Sequence, residues 1–529
     1  MKNFVKIGSM LMVMIAIVLS SCTKKFEEYS LNPNQPVTVP PYLILRGILS
    51  GLPVYPDSDE ERWSQFTCRN YTYYGDNRYW TGAAGLTYST LNNVVAMEAE
   101  AKKTTGTDVN VYAAVGKFLK AYLFVNMSLK VGDIPMSEAL KGLASPTPKY
   151  DSQKQVFLQS LTLLEESNAM FTALIAKSDV SLQGDIFFVE RTTGAKTPLE
   201  AIKSWQRVVN AFRLRVLIQL SKKDADTDLK VKQQFSDIIS NPTKYPLMVS
   251  SADNLEFVYN AVNNKYPDNK ESFGFDALRY NLAATWVNNL AALNDLRVMK
   301  VAEPARGLGY PDTDFRSFVG ASTGLDLSNM AAGVQNGLYS LYNRKRYYDG
   351  YTAENTPLVS YSEMCLNIAE GINRGWATGN ADTWYQNGIK ANFAYYGVND
   401  GANTVTFQRA GAITLADYVT SSITFNYADY FAQPAVKYAG NNTTGLNQIL
   451  LQKYFAFARN SGLEGYYQWR RTGVPTFATG SGISTNGNIP LRFQYPSGEL
   501  STNKANRDAA VQSQFAGNDD IFAKMWIIQ

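Results

Sequence analysis

Tyr361-Ser-Glu-Met-Cys-Leu-Asn-Ile-Ala-Glu-Gly-Ile-Asn-Arg-Gly375 places apolar side chains at Tyr361, Met364, Cys365, Ile368 and Ile372. Steps of three and four predict a helix with one buried face. Gly375 breaks it, and Tyr385, Ile389, Phe393 and Tyr396 resume the same spacing. Small residues (Ala369, Gly371, Ala381, Gly388, Ala391) stand where two adjoining helices must approach each other.

Two helices of roughly fifteen residues joined by a short glycine turn fit a tetratricopeptide-like unit of about 34 residues. The same phase runs through earlier stretches: Tyr42 to Leu52 behind Pro40-Pro41, then Val111, Val115, Phe118, Leu119, Tyr122, Val125 and Leu129, stopped at Gly132-Asp133-Ile134-Pro135. It continues through Val156, Phe157, Leu161 and Leu164, through Ile202, Trp205, Val209, Phe212, Val216 and Leu220, and through Leu282, Trp286, Leu290 and Leu293. No fixed period links these helices. The expected class is therefore all-α, with tetratricopeptide-like pairs and long irregular insertions at 263–276, 303–351 and 397–447.

The densest aromatic stretch is Trp63 to Trp80, with Trp63, Phe66, Tyr71, Tyr73, Tyr74, Tyr79 and Trp80 among Arg69, Asn70, Asp76, Asn77 and Arg78. Gly75-Asp76-Asn77 reads as a turn. Flat rings with polar tips suit the carbon-hydrogen face of a sugar, and Asn, Asp and Arg suit its hydroxyls. Candidate ligand contacts are Tyr73, Asn77, Arg78 and Trp80, with Tyr266 and Phe273 from a second stretch, 266–275, that also holds Asn269, Lys270 and Glu271. A loop packed under helices would use the same residues, so both readings stand.

The chain has 529 residues, 45% of them apolar, 33 Tyr, and a formal charge of +4. Neither the charge nor any basic stripe points to nucleic acid. Histidine is absent, which removes the usual general base and the commonest zinc ligand. Glu363 and Glu370 lie two turns apart on one helix face, and a carboxylate pair could serve a glycosidase; the same face also suits helix packing. Asp224-Ala225-Asp226-Thr227-Asp228 starts like a calcium loop, but Leu229 replaces the turn glycine, and no metal or cofactor is expected. Cys68 and Cys365 could be bridged or separately buried.

At the amino end Lys2 and Lys6 precede an apolar run from Met10 to Leu19, then Leu19-Ser20-Ser21-Cys22. A run of about ten residues is too short to span a bilayer, so 1–21 reads as an export signal. Leu-Ser-Ser-Cys resembles a bacterial lipobox, which implies acylation of Cys22. Residues 22–41, polar and then proline-rich, would form an extended tether, and 42–529 one helical domain.

Several motifs in order along the chain resemble the SusD/RagB family of outer-membrane nutrient-binding lipoproteins. These are the lipobox, Leu31-Asn32-Pro33-Asn34, the segment closing on Gly132 to Pro135, Trp205 to Arg215, Glu363 to Gly375, Gln452-Lys453-Tyr454, Glu464 with Trp469 to Pro475, Ile489 to Phe493 with Tyr495-Pro496 and Glu499, and Lys524-Met525-Trp526. The resemblance implies a non-enzymatic receptor on the cell surface, lipid-anchored in the outer membrane. It would bind oligosaccharide, or peptide as in some members, and act with a SusC-like TonB-dependent transporter; a helical array binding only protein is a further alternative. Arg470 and Arg471 are expected to pair with Glu464 and Glu499, and Asn210, Arg213 and Arg215 to hold buried loop backbone.

Overall fold

Side-chain caps fix where three of the long helices begin, those at Val111, Gln153 and Pro198. In the computed structural model, which describes residues 38–274, 276–459, 461–483 and 487–529, α1 (Pro41–Ser50) starts on the second proline of the pair, one residue earlier than the expected Tyr42. The expected export signal, Cys22, Leu31 to Asn34, most of the 22–41 tether and Phe275 lie outside the described residues. After α2 (Tyr88–Thr105) comes α3 (Val111–Val131), whose cap Asn110 accepts the Ala113 N–H at 2.9 Å. Capping boxes open α4 (Gln153–Ala176), through Ser152 and Gln155, and α5 (Pro198–Gln219), through Thr197 and Glu200. Gly132 at φ +101° ends α3, as the Gly-Asp-Ile-Pro stop predicts.

Further on come α6 (Val231–Ser240), α7 (Ala284–Ala292), α8 (Leu327–Gln335), α9 (Tyr361–Asn373), α10 (Ala381–Tyr395), α11 (Thr443–Ala456), α12 (Glu464–Thr472) and α13 (Lys504–Phe515). Residues 41–529 form one compact unit. Helix α3 is apolar nearly all round and packs between α2 and α4; α9 packs against α10, α11 and α5. The small residues of the α9–α10 pair act as expected. A Cβ on Gly388 would lie 2.6 Å from Leu366, and one on Gly371 would lie 2.3 Å from the Phe235 ring. Among the described residues no helix is long and apolar enough to cross a membrane.

Strands are few, and each sheet is an antiparallel pair: β1 (Thr67–Arg69) with β3 (Tyr280–Leu282), β2 (Leu255–Phe257) with β4 (Thr356–Val359), and β5 (Gly401–Gln408) with β6 (Tyr418–Phe425). The last pair is a hairpin inside the segment expected to be irregular. Its alternation, with Val405 and Phe407 buried, is short, and its β-branched residues are mixed with glycine and asparagine.

Helix α9 carries three polar groups on one face, Glu363, Asn367 and Glu370, and all three are buried. Glu370 meets Arg471 at 2.6 Å, Arg374 at 2.8 Å and Lys453. Lys453 donates to Asn367 at 3.0 Å, and Asn367 to Glu363 at 3.1 Å. Glu363 in turn holds Arg215, whose Nε is 2.6 Å away and whose other donors reach the Leu358 carbonyl at 2.6 Å and Glu464 at 3.3 Å. The two carboxylates offered as a hydrolytic pair are thus fixed anchors between α5, α9, α11 and α12.

This network corrects the expected pairing of the carboxy-terminal arginines. Arg471 takes Glu370, while Arg470 donates to the carbonyls of Leu129 and Leu491 at 2.9 and 2.8 Å. Glu464 belongs to Arg215, and Glu499 accepts the Tyr150 hydroxyl at 2.7 Å. Charge type was legible in the motif; partner identity depends on which helices pack. Asn210 does hold loop backbone, donating to Pro246 O at 2.9 Å, whereas Arg213 meets Glu165 and Gln234. Cys68 and Cys365 are separate buried thiols. Asp226 and Asp228 both bind Lys154, at 2.8 and 2.6 Å.

Three cations beside Glu370 hold its carboxyl well below the ordinary 4.5 despite the opposing effect of burial. The unfolded chain therefore binds a proton near and below pH 4.5 that the folded chain refuses, and this contribution to stability is lost on acidification. Glu370→Gln should lower unfolding free energy at pH 7 by about 3–5 kcal/mol by leaving buried cations underpaired. Urea titrations from pH 7 down to pH 3 should show a shallower acid loss for the variant than for the parent.

Candidate functional site

The aromatic loop between β1 and Trp80 is built from backbone-directed hydrogen bonds. Strand β1 pairs with β3 through Arg69 opposite Tyr280. Asn70 continues the contact, donating its side chain to Leu278 O at 3.1 Å while its N–H reaches Arg279 O at 3.1 Å. Asn77 closes the loop: its Oδ1 accepts the Arg69 N–H at 2.7 Å and its Nδ2 donates to Arg69 O at 2.9 Å. One amide side chain thereby does what a neighbouring strand would do. Gly75 makes the turn at φ +98°, where a Cβ would lie 2.7 Å from the Arg69 guanidinium.

Below the tip the rings face inward. Trp80 is 8% exposed, stacks on Phe493 at 3.9 Å and donates its indole N–H to Arg492 O at 2.7 Å. Trp63 meets Trp80 edge-on at 4.9 Å and donates to Arg78 O at 3.0 Å. Arg62 binds the Asp76 carbonyl. Trp80 and Asn77, both expected to touch ligand, are instead parts of the mount. Burial and saturated hydrogen bonding leave neither a free face.

Tyr73 remains outside, 84% exposed, with Tyr71 at 42% exposure and ring centres 6.5 Å apart. The Arg279 guanidinium lies over the Tyr71 ring at 4.0 Å. Arg78 is exposed and pairs with Asp76 at 3.0 Å. The tip thus presents two rings, one of them covered by a cation, beside an exposed arginine–aspartate pair. Such a surface can stack against a ligand ring and bond its hydroxyls.

In the second expected cluster Lys270 and Glu271 are exposed, but the rings of Tyr266 and Phe273 turn inward. Tyr266 is fully buried, and burial pushes its phenol pKa up. Around it Arg459 lies between the rings of Tyr342 and Tyr347, at 4.0 and 4.1 Å, and pairs with Asp268 at 2.6 Å. Phe273 is half-buried, 5.9 Å from Tyr348. These residues fasten the long 263–276 insertion to the body. Tyr71 and Arg279 were not selected from sequence; Tyr71 stood within the aromatic stretch, but Arg279 reaches it only through β1–β3 pairing.

Comparison with known proteins places this arrangement in context. Residues 57–496 match a SusD-like family model described as starch-binding and associating with the outer membrane. A crystal structure of a SusD homologue from Bacteroides fragilis superposes with a TM-score of 0.78 at 27% identity, covering 93% of this chain and 100% of the other. An outer-membrane protein of Bacteroides vulgatus assigned to nutrient binding gives 0.75 at 29% identity, covering 93% and 100%. A chitin-binding SusD homologue of Flavobacterium johnsoniae shares the fold at 0.65 and 19% identity, covering 92% and 98%. No curated protein sequence matches the chain.

Asn77→Ala should strip the Arg69 backbone of both partners, lowering stability by about 1–3 kcal/mol. Hydrogen exchange should accelerate at residues 69–80 and stay unchanged in α3.

Proposed function

The chain belongs to the SusD-like family of starch-binding proteins that associate with the outer membrane, and from that premise we propose a non-catalytic surface receptor. It captures oligosaccharide on the Tyr71–Arg78 tip and delivers it to a SusC-like TonB-dependent transporter for import. The observation that carries the reading is the outward pair Tyr71 and Tyr73, with Arg279 over one ring, on a loop where Trp63, Tyr79 and Trp80 are spent on support. Exposed rings gain little from folding, so their placement is best explained by a ligand.

On this reading the apolar face of a sugar lies on Tyr73 and its neighbour Tyr71. Arg78, Asp76 and Arg279 meet the hydroxyls of that unit or the next. Tyr73 and Arg78 keep the ligand role expected from the sequence; Trp80, Asn77, Tyr266 and Phe273 do not. The lipobox Leu19-Ser20-Ser21-Cys22 supports attachment by acyl chains on Cys22, since stable anchoring takes more than one chain. The stretch 22–41 then serves as a tether leading to the helical domain at 42–529.

Calorimetric titration with maltooligosaccharides, chitooligosaccharides and a peptide panel tests the proposal. Tyr73→Ala and Tyr71→Ala should each cost about 0.5–1.5 kcal/mol of glycan binding, roughly three- to tenfold in Kd. Glycan binding untouched by both variants, or binding of peptides alone, would overturn it.

A further inference from the structure

A cleft of about 160 Å³ enters the helical body between the end of α1 and the start of α2. It has room for roughly ten water molecules, enough for one sugar ring. One wall is a single face of α3, where Tyr122, Asn126 and Lys130 recur every four residues. The floor holds Glu464 and Tyr467 at the start of α12 and Arg215 from α5.

The floor is unevenly satisfied. Arg215 is spent, held by Glu363 on two donors and by the Leu358 carbonyl. Glu464 is different. Its two oxygens each accept one long bond, from Arg215 at 3.3 Å and from Gln219 at 3.3 Å, although the side chain is only 9% exposed. A buried carboxylate has about four acceptor sites, so this one has capacity for two further donors. The Tyr467 hydroxyl makes no hydrogen bond among the described residues, although the residue is 3% exposed. Burial pushes the Glu464 carboxyl pKa up against the pull of Arg215, as expected of a carboxylate short of donors.

Charge in the cleft is balanced, Glu60 and Glu464 against Lys130 and Arg215. That balance favours a neutral ligand rich in hydroxyl donors, with ring faces and Met127 to cover its carbon-hydrogen surface. We propose that this cleft is a second binding site, separate from the aromatic tip, that takes one monosaccharide-sized polyol with two hydroxyls donated to Glu464 and a third near Tyr467 and Asn126. The site would count single sugars independently of chain capture, and it does not depend on the tip being a glycan platform.

The test is calorimetric or ligand-observed NMR titration of the full chain with D-glucose, N-acetylglucosamine and, as a zwitterionic probe, L-alanine. The parent and Tyr73→Ala should bind a monosaccharide alike. Glu464→Gln and Gly85→Trp should each weaken that binding at least tenfold. Gly85 lines the mouth and an added Cβ there meets nothing within 4 Å, so Gly85→Trp obstructs the cleft without disturbing the core and decides the matter should Glu464→Gln fail to fold. No saturable monosaccharide binding, a preference for L-alanine, or binding that survives Gly85→Trp would each overturn the proposal.

Discussion

Glu370 is the point from which the helical body takes its registry. A carboxylate with no exposure to water is costly unless its lone pairs are filled, and here Arg374 just past the end of α9, Lys453 of α11 and Arg471 of α12 each bring a cation to it. Those helices cannot slide or rotate relative to one another without stranding a charge. Apolar packing alone would tolerate several arrangements of near-equal energy, since leucine and alanine faces are interchangeable within a turn or so. The line from Arg471 through Glu370, Lys453, Asn367 and Glu363 to Arg215 singles out one arrangement. It also joins the tetratricopeptide-like pair to the carboxy-terminal region, which local helix formation would leave independent.

Around that spine the protein uses aromatic side chains in three ways. In the helical stack, Phe118, Trp205 and Phe212 meet edge to face and fill volume. In the insertions, rings clamp guanidinium groups, with Arg459 enclosed between Tyr342 and Tyr347 as the clearest case. A charge sandwiched in this way replaces hydration with ring faces and two carboxylates, Asp268 and Asp57, so long irregular chain is fastened without secondary structure. At the tip of the β1–Trp80 loop, two rings, Tyr71 and Tyr73, turn outward.

Legibility in the sequence followed the range of the interaction. Helix phase, the Gly132 stop and the small residues of α9 and α10 are local, so residues within one or two turns disclose them. The hairpin at 401–425 was hidden because glycine and asparagine dilute its alternation. Partner choice is non-local: nothing near Arg471 in the chain says that Glu370, and not Glu464, will meet it. The tip divides in the same manner. Tyr73 and Trp80 sit in one aromatic run with similar neighbours, yet one lies out and the other in, because Phe493 and Arg492 arrive from far along the chain to bury Trp80. Arg279 is joined to Tyr71 by strand pairing, so it carried no signal of its own.

The Asn77 clamp and the Asn70 bridge grip main chain, and Trp63 and Trp80 are seated in the body, so the loop's shape owes little to what Tyr71 and Tyr73 are. Mount and display are separable. Replacement of the displayed side chains carries a small folding penalty, which leaves natural variation free to change the outward surface on an unchanged scaffold. Under the ligand role proposed for the tip, relatives that take different nutrients would differ in a few outward residues while every buried charge stays in place.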